Sequence, residues 1–228
     1  MILKADRISK TYFRGTGSSN YFYAVSPVSL ELLPGTVTVL TGRSGSGKTT
    51  LLNMLSGILE PTEGKVLLDE TDLYGLDDAA LSRLRNRRIG IVPQARSAVD
   101  TLTVRENILL PAVMYGEPAS AEAAGEWMRF FGIERLADAM PRELSGGELR
   151  RTALVRALLR EPDVLFADEP TGDLDDENTE KVLSALRDYA HRRNKAVFVV
   201  THESGAPGYA DRLLRMDQGR VAETENKK

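Results

Sequence analysis

Between an apolar run, Val37-Thr38-Val39-Leu40, and a segment of helical pattern, Thr50-Leu51-Leu52-Asn53-Met54-Leu55, lies Gly42-Arg43-Ser44-Gly45-Ser46-Gly47-Lys48-Thr49. This stretch fits the phosphate-binding loop pattern G-x-x-x-x-G-K-[ST] at every constrained position, in the strand–loop–helix setting that the pattern requires. Glycines let successive backbone N–H groups curl around a phosphate, and the helix N-terminus behind them adds a favourable dipole. Lys48 is placed to reach β- and γ-phosphates as a point charge, and the Thr49 hydroxyl to ligate Mg²⁺.

The rest of the chain divides into three parts by pattern. In the first, Val28, Leu30 and Leu32 alternate with Ser29, Glu31 and Leu33 up to a Pro34-Gly35 turn, and Arg14–Asn20 reads as a Gly/Ser-rich loop between early strands. Pro61-Thr62-Glu63-Gly64 turns into a strand at Lys65–Leu68, and a further strand is expected at Arg88–Val92. The middle is helical. Thr103-Val104-Arg105-Glu106 is a capping box, with Ile108, Leu109 and Val113 continuing its helix. Helical patterns recur over Ala119–Phe131 and Gly147–Leu159, and Trp127, Phe130 and Phe131 are expected in a helix core. The last part alternates strand and helix. Val164-Leu165-Phe166-Ala167 and Ala196-Val197-Phe198-Val199-Val200 read as buried parallel strands on either side of a helix, Glu177–Arg192, faced by Val182, Leu183, Leu186 and Tyr189. Glu223–Lys228 reads as a polar tail.

Bulk properties exclude several classes. The 228 residues are 42% hydrophobic, enough for a buried core, and contain no cysteine and only two histidines, so disulfide and Cys- or His-rich metal sites are excluded. A net charge of −3 lacks the basic footprint of a nucleic-acid partner. No stretch is apolar enough to span a bilayer, and Met1–Asp6 lacks a signal pattern, so a cytoplasmic location is expected.

Two further places carry chemistry. Asp168 and Glu169 follow the Val164–Ala167 strand, where open α/β sheets place ligand-binding residues. Asp168 suits Mg²⁺, and Glu169 suits the orientation and activation of an attacking water. Leu144-Ser145-Gly146-Gly147-Glu148 forms a second glycine-rich helix entrance, able to receive a phosphate on Ser145, Gly146 and Gly147. Two cradles in one chain imply either two nucleotides or one nucleotide shared between chains.

With these motifs in view, the sequence resembles the nucleotide-binding subunit of an ATP-binding cassette (ABC) transporter over essentially its full length. Six motifs stand in that family's order: Gly42–Thr49 as Walker A, Gln94 as the Q-loop, Leu144–Glu148 as the signature, Asp163–Glu169 as Walker B, Gly172-Asp173-Leu174-Asp175 as the D-loop, and His202 as the switch histidine. The resemblance implies an α/β fold: a P-loop NTPase (RecA-like) core with an antiparallel β subdomain and an inserted α-helical subdomain. One domain would span 1–228, with its core at 1–93 and 160–228 and the helical signature subdomain at 94–159.

The same resemblance implies ATP and Mg²⁺ as cofactors. Catalysis falls to Glu169 and His202, and the metal to Thr49, Gln94 and Asp168. ATP is contacted by Tyr12 (stacked on adenine, with Phe13 as the fallback), by Gly42, Arg43, Ser44, Gly45, Ser46, Gly47, Lys48, Thr49 and Thr50, by Gln94, and by Ser145, Gly146, Gly147 and Asp175. Family members pair head to tail, each ATP lying between Walker A of one copy and the signature of the other. His191, beside Arg192 and Arg193, is read as structural.

Thr171–Asp175 after Glu169-Pro170, and Glu148 closing the signature, resemble the branch of lipoprotein-releasing, macrolide-exporting, antimicrobial-peptide-resistance and cell-division cassettes. That branch implies a cassette on the inner face of the membrane, driving a separate permease for export or mechanical transmission. Alternatives are a cassette regulating cell-wall hydrolases through a permease-like partner, or a soluble ABC ATPase. The permease is expected to dock near Gln94–Val104, with Arg96 as a selective charge and Leu102 and Val104 as apolar anchors. Three departures stand out: Leu149-Arg150 where relatives commonly carry Gln-Gln, Glu203 where Asp is usual, and a small, polar Ala95–Val99.

Overall fold

The apolar runs around the phosphate-binding loop fold as parallel strands in the computed structural model, which describes residues 3–13, 21–118, 120–203 and 205–224. From the N-terminus, β1 (Leu3–Phe13) and β2 (Tyr21–Leu32) precede β3 (Thr36–Gly42), α1 (Lys48–Leu55), β4 (Glu63–Leu68), β5 (Thr71–Asp72), α2 (Asp78–Arg88) and β6 (Ile89–Val92). Three helices follow: α3 (Val104–Met114), α4 (Ala121–Phe130) and α5 (Gly146–Leu158). The chain then returns through β7 (Val164–Asp168), α6 (Asp176–Arg193), β8 (Ala196–Thr201), β9 (Arg212–Asp217) and β10 (Arg220–Thr224).

Two sheets result. An antiparallel sheet has the order β2-β1-β4-β5, and a six-stranded sheet the order β10-β9-β3-β8-β7-β6, parallel except for the β9–β10 hairpin. This is the expected ABC cassette architecture. Register sets the site. Leu40 on β3 and Asp168 on β7 both lie opposite Val200 on β8, so Gly42, Glu169 and His202 leave the sheet at one edge.

Side-chain alternation gives the parallel sheet two buried faces. Val37, Val39, Leu165, Ala167, Val197 and Val199 pack toward α6 and the inserted helices, while Leu40, Phe166, Phe198 and Val200 pack toward α1 and the antiparallel sheet. A strand buried on both faces reads as a continuous apolar run, which is why β7 and β8 were legible. The inserted helices join the first cluster through Val104 and Ile108 of α3, Met128 of α4, and Leu154 and Leu158 of α5. The Thr103 capping box forms as expected, with Thr103 Oγ1 accepting from the Glu106 amide and Glu106 Oε2 accepting from the Thr103 amide. Buried Asn107 then staples the preceding loop, donating to the carbonyls of Val99, Leu102 and Thr103.

The structure differs from the sequence expectation at several element boundaries and in the burial of one aromatic residue. Arg88 does not begin a strand; it ends α2, an unanticipated helix with no buried residue and hence no apolar stripe to betray it. Its guanidinium instead reaches Asp69 and Asp163 at 2.8 and 2.9 Å. Glu223 and Thr224 complete β10, so the polar tail starts later than expected. Arg14–Asn20, Ala119 and residues 225–228 lie outside the described residues. Of the aromatic trio, Phe131 is 1% exposed and Trp127 is partly buried, whereas Phe130 is 46% exposed. The Phe130 ring lies edge-on to both neighbours and beneath the Lys181 ammonium, 5.6 Å away. Phe131→Ala should cost roughly 3–5 kcal/mol, as loss of a buried ring does, and Phe130→Ala about 1 kcal/mol or less. Urea denaturation of the two variants checks this, and equal losses would contradict the packing described.

Candidate active site

The loop after β3 is shaped by close backbone approach. Gly47 adopts φ +107°, and a Cβ there would meet the Ala24 carbonyl oxygen at 2.1 Å, so only glycine fits. Lys48 turns back into its own loop, its Nζ donating to the carbonyls of Gly42 at 2.8 Å and Arg43 at 3.0 Å. The Ser46 carbonyl accepts from the Gly219 amide at 2.9 Å, which braces the loop against the β9–β10 turn. The buried Ser46 hydroxyl finds no protein partner.

Across from the loop stand the carboxylates at the end of β7. Asp168 is 2% exposed and accepts a 2.7 Å hydrogen bond from the Thr49 hydroxyl. Burial pushes its pKa above the usual carboxylate range, with Thr49 pulling the other way and the Glu169 charge adding to the rise. A buried carboxylate lacking full compensation suits a cation. Among the described residues no group of three or more His, Cys, Asp or Glu is arranged to hold a metal. One carboxylate beside one hydroxyl is instead the donor set of Mg²⁺, which completes its shell with water and phosphate oxygens.

Glu169 sits at φ +49°, a left-handed conformation that costs a non-glycine residue about 1–2 kcal/mol. Its amide donates to the Val200 carbonyl at 2.8 Å, and its Oε1 lies 2.9 Å from His202 Nδ1. That hydrogen bond, reinforced by the carboxylate's charge, raises the His202 pKa.

These groups surround one cleft of about 810 Å³, walled by the loop from Ser44 to Thr50, by Gln94, Asp168, Glu169 and His202, and by Tyr12. Tyr12 is 39% exposed, with its ring centroid 6.0 Å from that of Phe22. Phe13 pairs instead with Tyr21 and does not line the cleft. Phe22, Tyr23, Gln218 and Gly219 also form the wall, and sequence reasoning missed them. Gln218 and Gly219 arrive through the parallel pairing of β3 with β9, which sets Gly42 opposite Met216. The Asp217–Gly219 turn signal was present, but nothing local tied it to the loop 170 residues earlier.

Other expected residues lie elsewhere. Gly42 and Arg43 form the root of the loop, presenting carbonyls to Lys48. Ser145, Gly146 and Gly147 do not line this cleft. Ser145 caps α5 in a reciprocal box with Glu148, while a Cβ on Gly147 would lie 2.9 Å from Leu174. Asp175 caps α6, accepting from the Asn178 amide. His191 bonds Asp211 at 2.8 Å, in keeping with its structural reading.

The loop after Gln94 departs from expectation at its anchors. Val104 is buried in the core and Leu102 half-buried, so Val104 offers no free apolar surface. Arg96 donates to the Pro141 carbonyl at 2.9 Å, which ties its charge to the helical insert. Beside them a cavity of about 370 Å³ is walled by Pro93–Ala98, α5 and Asp173.

The sequence model described as "ABC transporter" matches residues 25–172. The chain is similar to the lipoprotein-releasing system ATP-binding protein LolD of Syntrophotalea carbinolica, 35% identical over 96% of both chains. It is also similar to the uncharacterized ABC transporter ATP-binding protein MJ0796 of Methanocaldococcus jannaschii, 35% identical over 98% of this chain and 97% of that one. Two solved structures of MJ0796, each covering 99% of both chains, superpose closely. One, described as its dimeric structure, has a TM-score of 0.92 at 33% identity. The other, a dimeric post-hydrolysis state bound to ADP and Pi, has a TM-score of 0.91 at 32% identity. More than half of the sequence fits the family model, and the fold agrees over 99% of the chain: this chain belongs to the ABC transporter family, as an ATPase cassette.

Proposed function

We propose that this cassette binds Mg²⁺-ATP between two copies of itself, arranged head to tail, and hydrolyses it to drive a separate membrane permease from the cytoplasmic face. The observation that carries the reading is an asymmetry within one chain. The loop, the Asp168–Thr49 pair and the Glu169–His202 pair converge on one cleft, while the second cradle at Ser145–Gly147 does not line it. One chain thus offers each nucleotide half of its phosphate contacts, and a second copy supplies the rest.

Each residue then has a role that its chemistry fits. Tyr12 stacks on the base, and the Ser44–Thr50 amides with Lys48 hold the phosphates. Thr49, Asp168 and Gln94 hold Mg²⁺, which when bound supplies charge neutralisation to the phosphates. Glu169 orients the attacking water and takes its proton, and its strained backbone fits a residue held for chemistry. His202 fixes the Glu169 carboxylate and donates toward the γ-phosphate. Ser145, Gly146, Gly147 and Asp175 act across the dimer.

The permease, export and peripheral membrane location rest on likeness to the LolD relatives. No helix among the described residues is long and apolar enough to cross a membrane, so a membrane partner would provide the spans. The groove between the Gln94 loop and α5 is the docking surface that moves most directly with nucleotide. One unit, with a core at 1–93 and 160–228 and a signature insert at 94–159, suits this lever action.

Three measurements check the reading. Glu169→Gln should retain ATP binding while lowering turnover on the order of 10²-fold or more, the scale of a lost catalytic base. Lys48→Ala should instead weaken ATP binding itself, and near-normal turnover in Glu169→Gln would sink the assignment. In light scattering, Glu169→Gln should be monomeric alone and dimeric with ATP, and adding Ser145→Arg should abolish the dimer. A dimer indifferent to both changes would speak for another architecture.

The histidine pair gives a pH test. With its pKa raised, His202 is charged and paired with Glu169 at low pH. That stabilisation is complete below the ordinary histidine value of 6.5 and is lost as pH rises through the higher folded value. Proton NMR of the His202 ring should show its midpoint above 6.5 in the nucleotide-free protein, returning toward 6.5 in Glu169→Gln. An unchanged midpoint in that variant would contradict the pairing.

A further inference from the structure

Arg150 stands where the sequence departs from Gln-Gln after the signature, and its side chain crosses from α5 to the Gln94 loop. Nη1 donates to the Pro93 carbonyl at 2.6 Å, and Nη2 donates to the Gln94 carbonyl at 2.9 Å. Burial lowers the proton affinity of this guanidinium, while Asp173, Asp168 and Glu169 act on it in the opposite sense. Nη2 also approaches the turn after β7, lying 3.8 Å from where a Cβ on Gly172 would stand. One planar cation therefore meets the signature helix, the Gln94 loop and the turn that begins at Glu169.

Neighbouring ties hold the rest of the loop. Arg156 donates to both the carbonyl and the hydroxyl of Ser97, and Arg96 reaches back to Pro141. Neither touches the peptide of Gln94 itself. A glutamine at position 150 has a shorter stem and a single nitrogen, so it lacks the spaced fork that spans two successive carbonyls.

Resting on the ATPase reading above, we propose that Arg150 is a positioning residue that locks the Gln94 peptide to α5, so that the Gln94 side chain moves with the signature helix when the dimer closes. A residue acting this way sets the alignment of the reacting groups more than the hold on nucleotide. Its removal should lower kcat and leave the KM for ATP largely intact.

The test compares full-length wild type, Arg150→Met and Arg150→Lys in steady-state Mg²⁺-ATP hydrolysis and in hydrogen exchange of the amides from 94 to 98. Arg150→Met keeps the stem without the donors, and kcat should fall about tenfold, as misaligned reacting groups predict, with KM within about twofold. Arg150→Lys restores charge and one donor, so its kcat should lie between the two. Exchange at these amides in the nucleotide-free protein should be fastest in Arg150→Met. If Arg150→Met does not fold, Arg150→Lys carries the test, with kcat below wild type and KM unchanged. Wild-type kcat and exchange in Arg150→Met, or a loss that Arg150→Lys does not relieve, would overturn the proposal. A wild-type protein without turnover would fail the ATPase reading instead, and unaltered exchange alone would still remove the tether.

Discussion

A triphosphate carries several negative charges, and on the proposed reading the features of this site answer to that burden. Anions taken out of water need donors already pointing at them. The loop from Gly42 to Thr49 is held ready for this, with Lys48 kept on the loop by two of its own carbonyls and Gly47 pressed against Ala24. On the proposed reading an incoming phosphate finds a shaped loop, and Lys48 needs only to exchange the Gly42 and Arg43 carbonyls for phosphate oxygens. Preorganised donors of this kind lose little on binding.

The sheet brings that local cradle together with the other groups of the site. Because β3, β7 and β8 run parallel and in register, the loop, Glu169 and His202 share one edge, and on the proposed reading all three would meet the γ-phosphate there. From there the Gln94 loop leads to the inserted helices, fastened by arginines of α5. On the proposed reading the nucleotide, the second copy and the permease are linked through these few short connections.

Much of this was legible in the sequence because the signals were local and physical. The capping box at Thr103, the apolar runs of β7 and β8, and the glycine pattern at Gly42–Gly47 each carry their own structural reason. What stayed hidden was non-local. Helix α2 has no fully buried residue; only the half-buried Leu81 and Leu84 lean on the core, and the ion pairs of Arg88 tie down its end, so no strong apolar stripe marks it. Phe22 and Gln218 reach the cleft only through strand pairing, and Val104, expected as a surface anchor, is buried in the first core cluster. Arg150 read as a simple departure, since its partners lie more than fifty residues away.

The central claim is that one chain builds only half of each phosphate site. A structure of the Glu169→Gln protein with ATP and Mg²⁺ tests it most directly. The account predicts two chains, with each γ-phosphate held by Lys48 of one and by Ser145 and the Gly147 amide of the other. A nucleotide whose γ-phosphate is enclosed by a single chain, with Ser145 exposed to solvent, would contradict it.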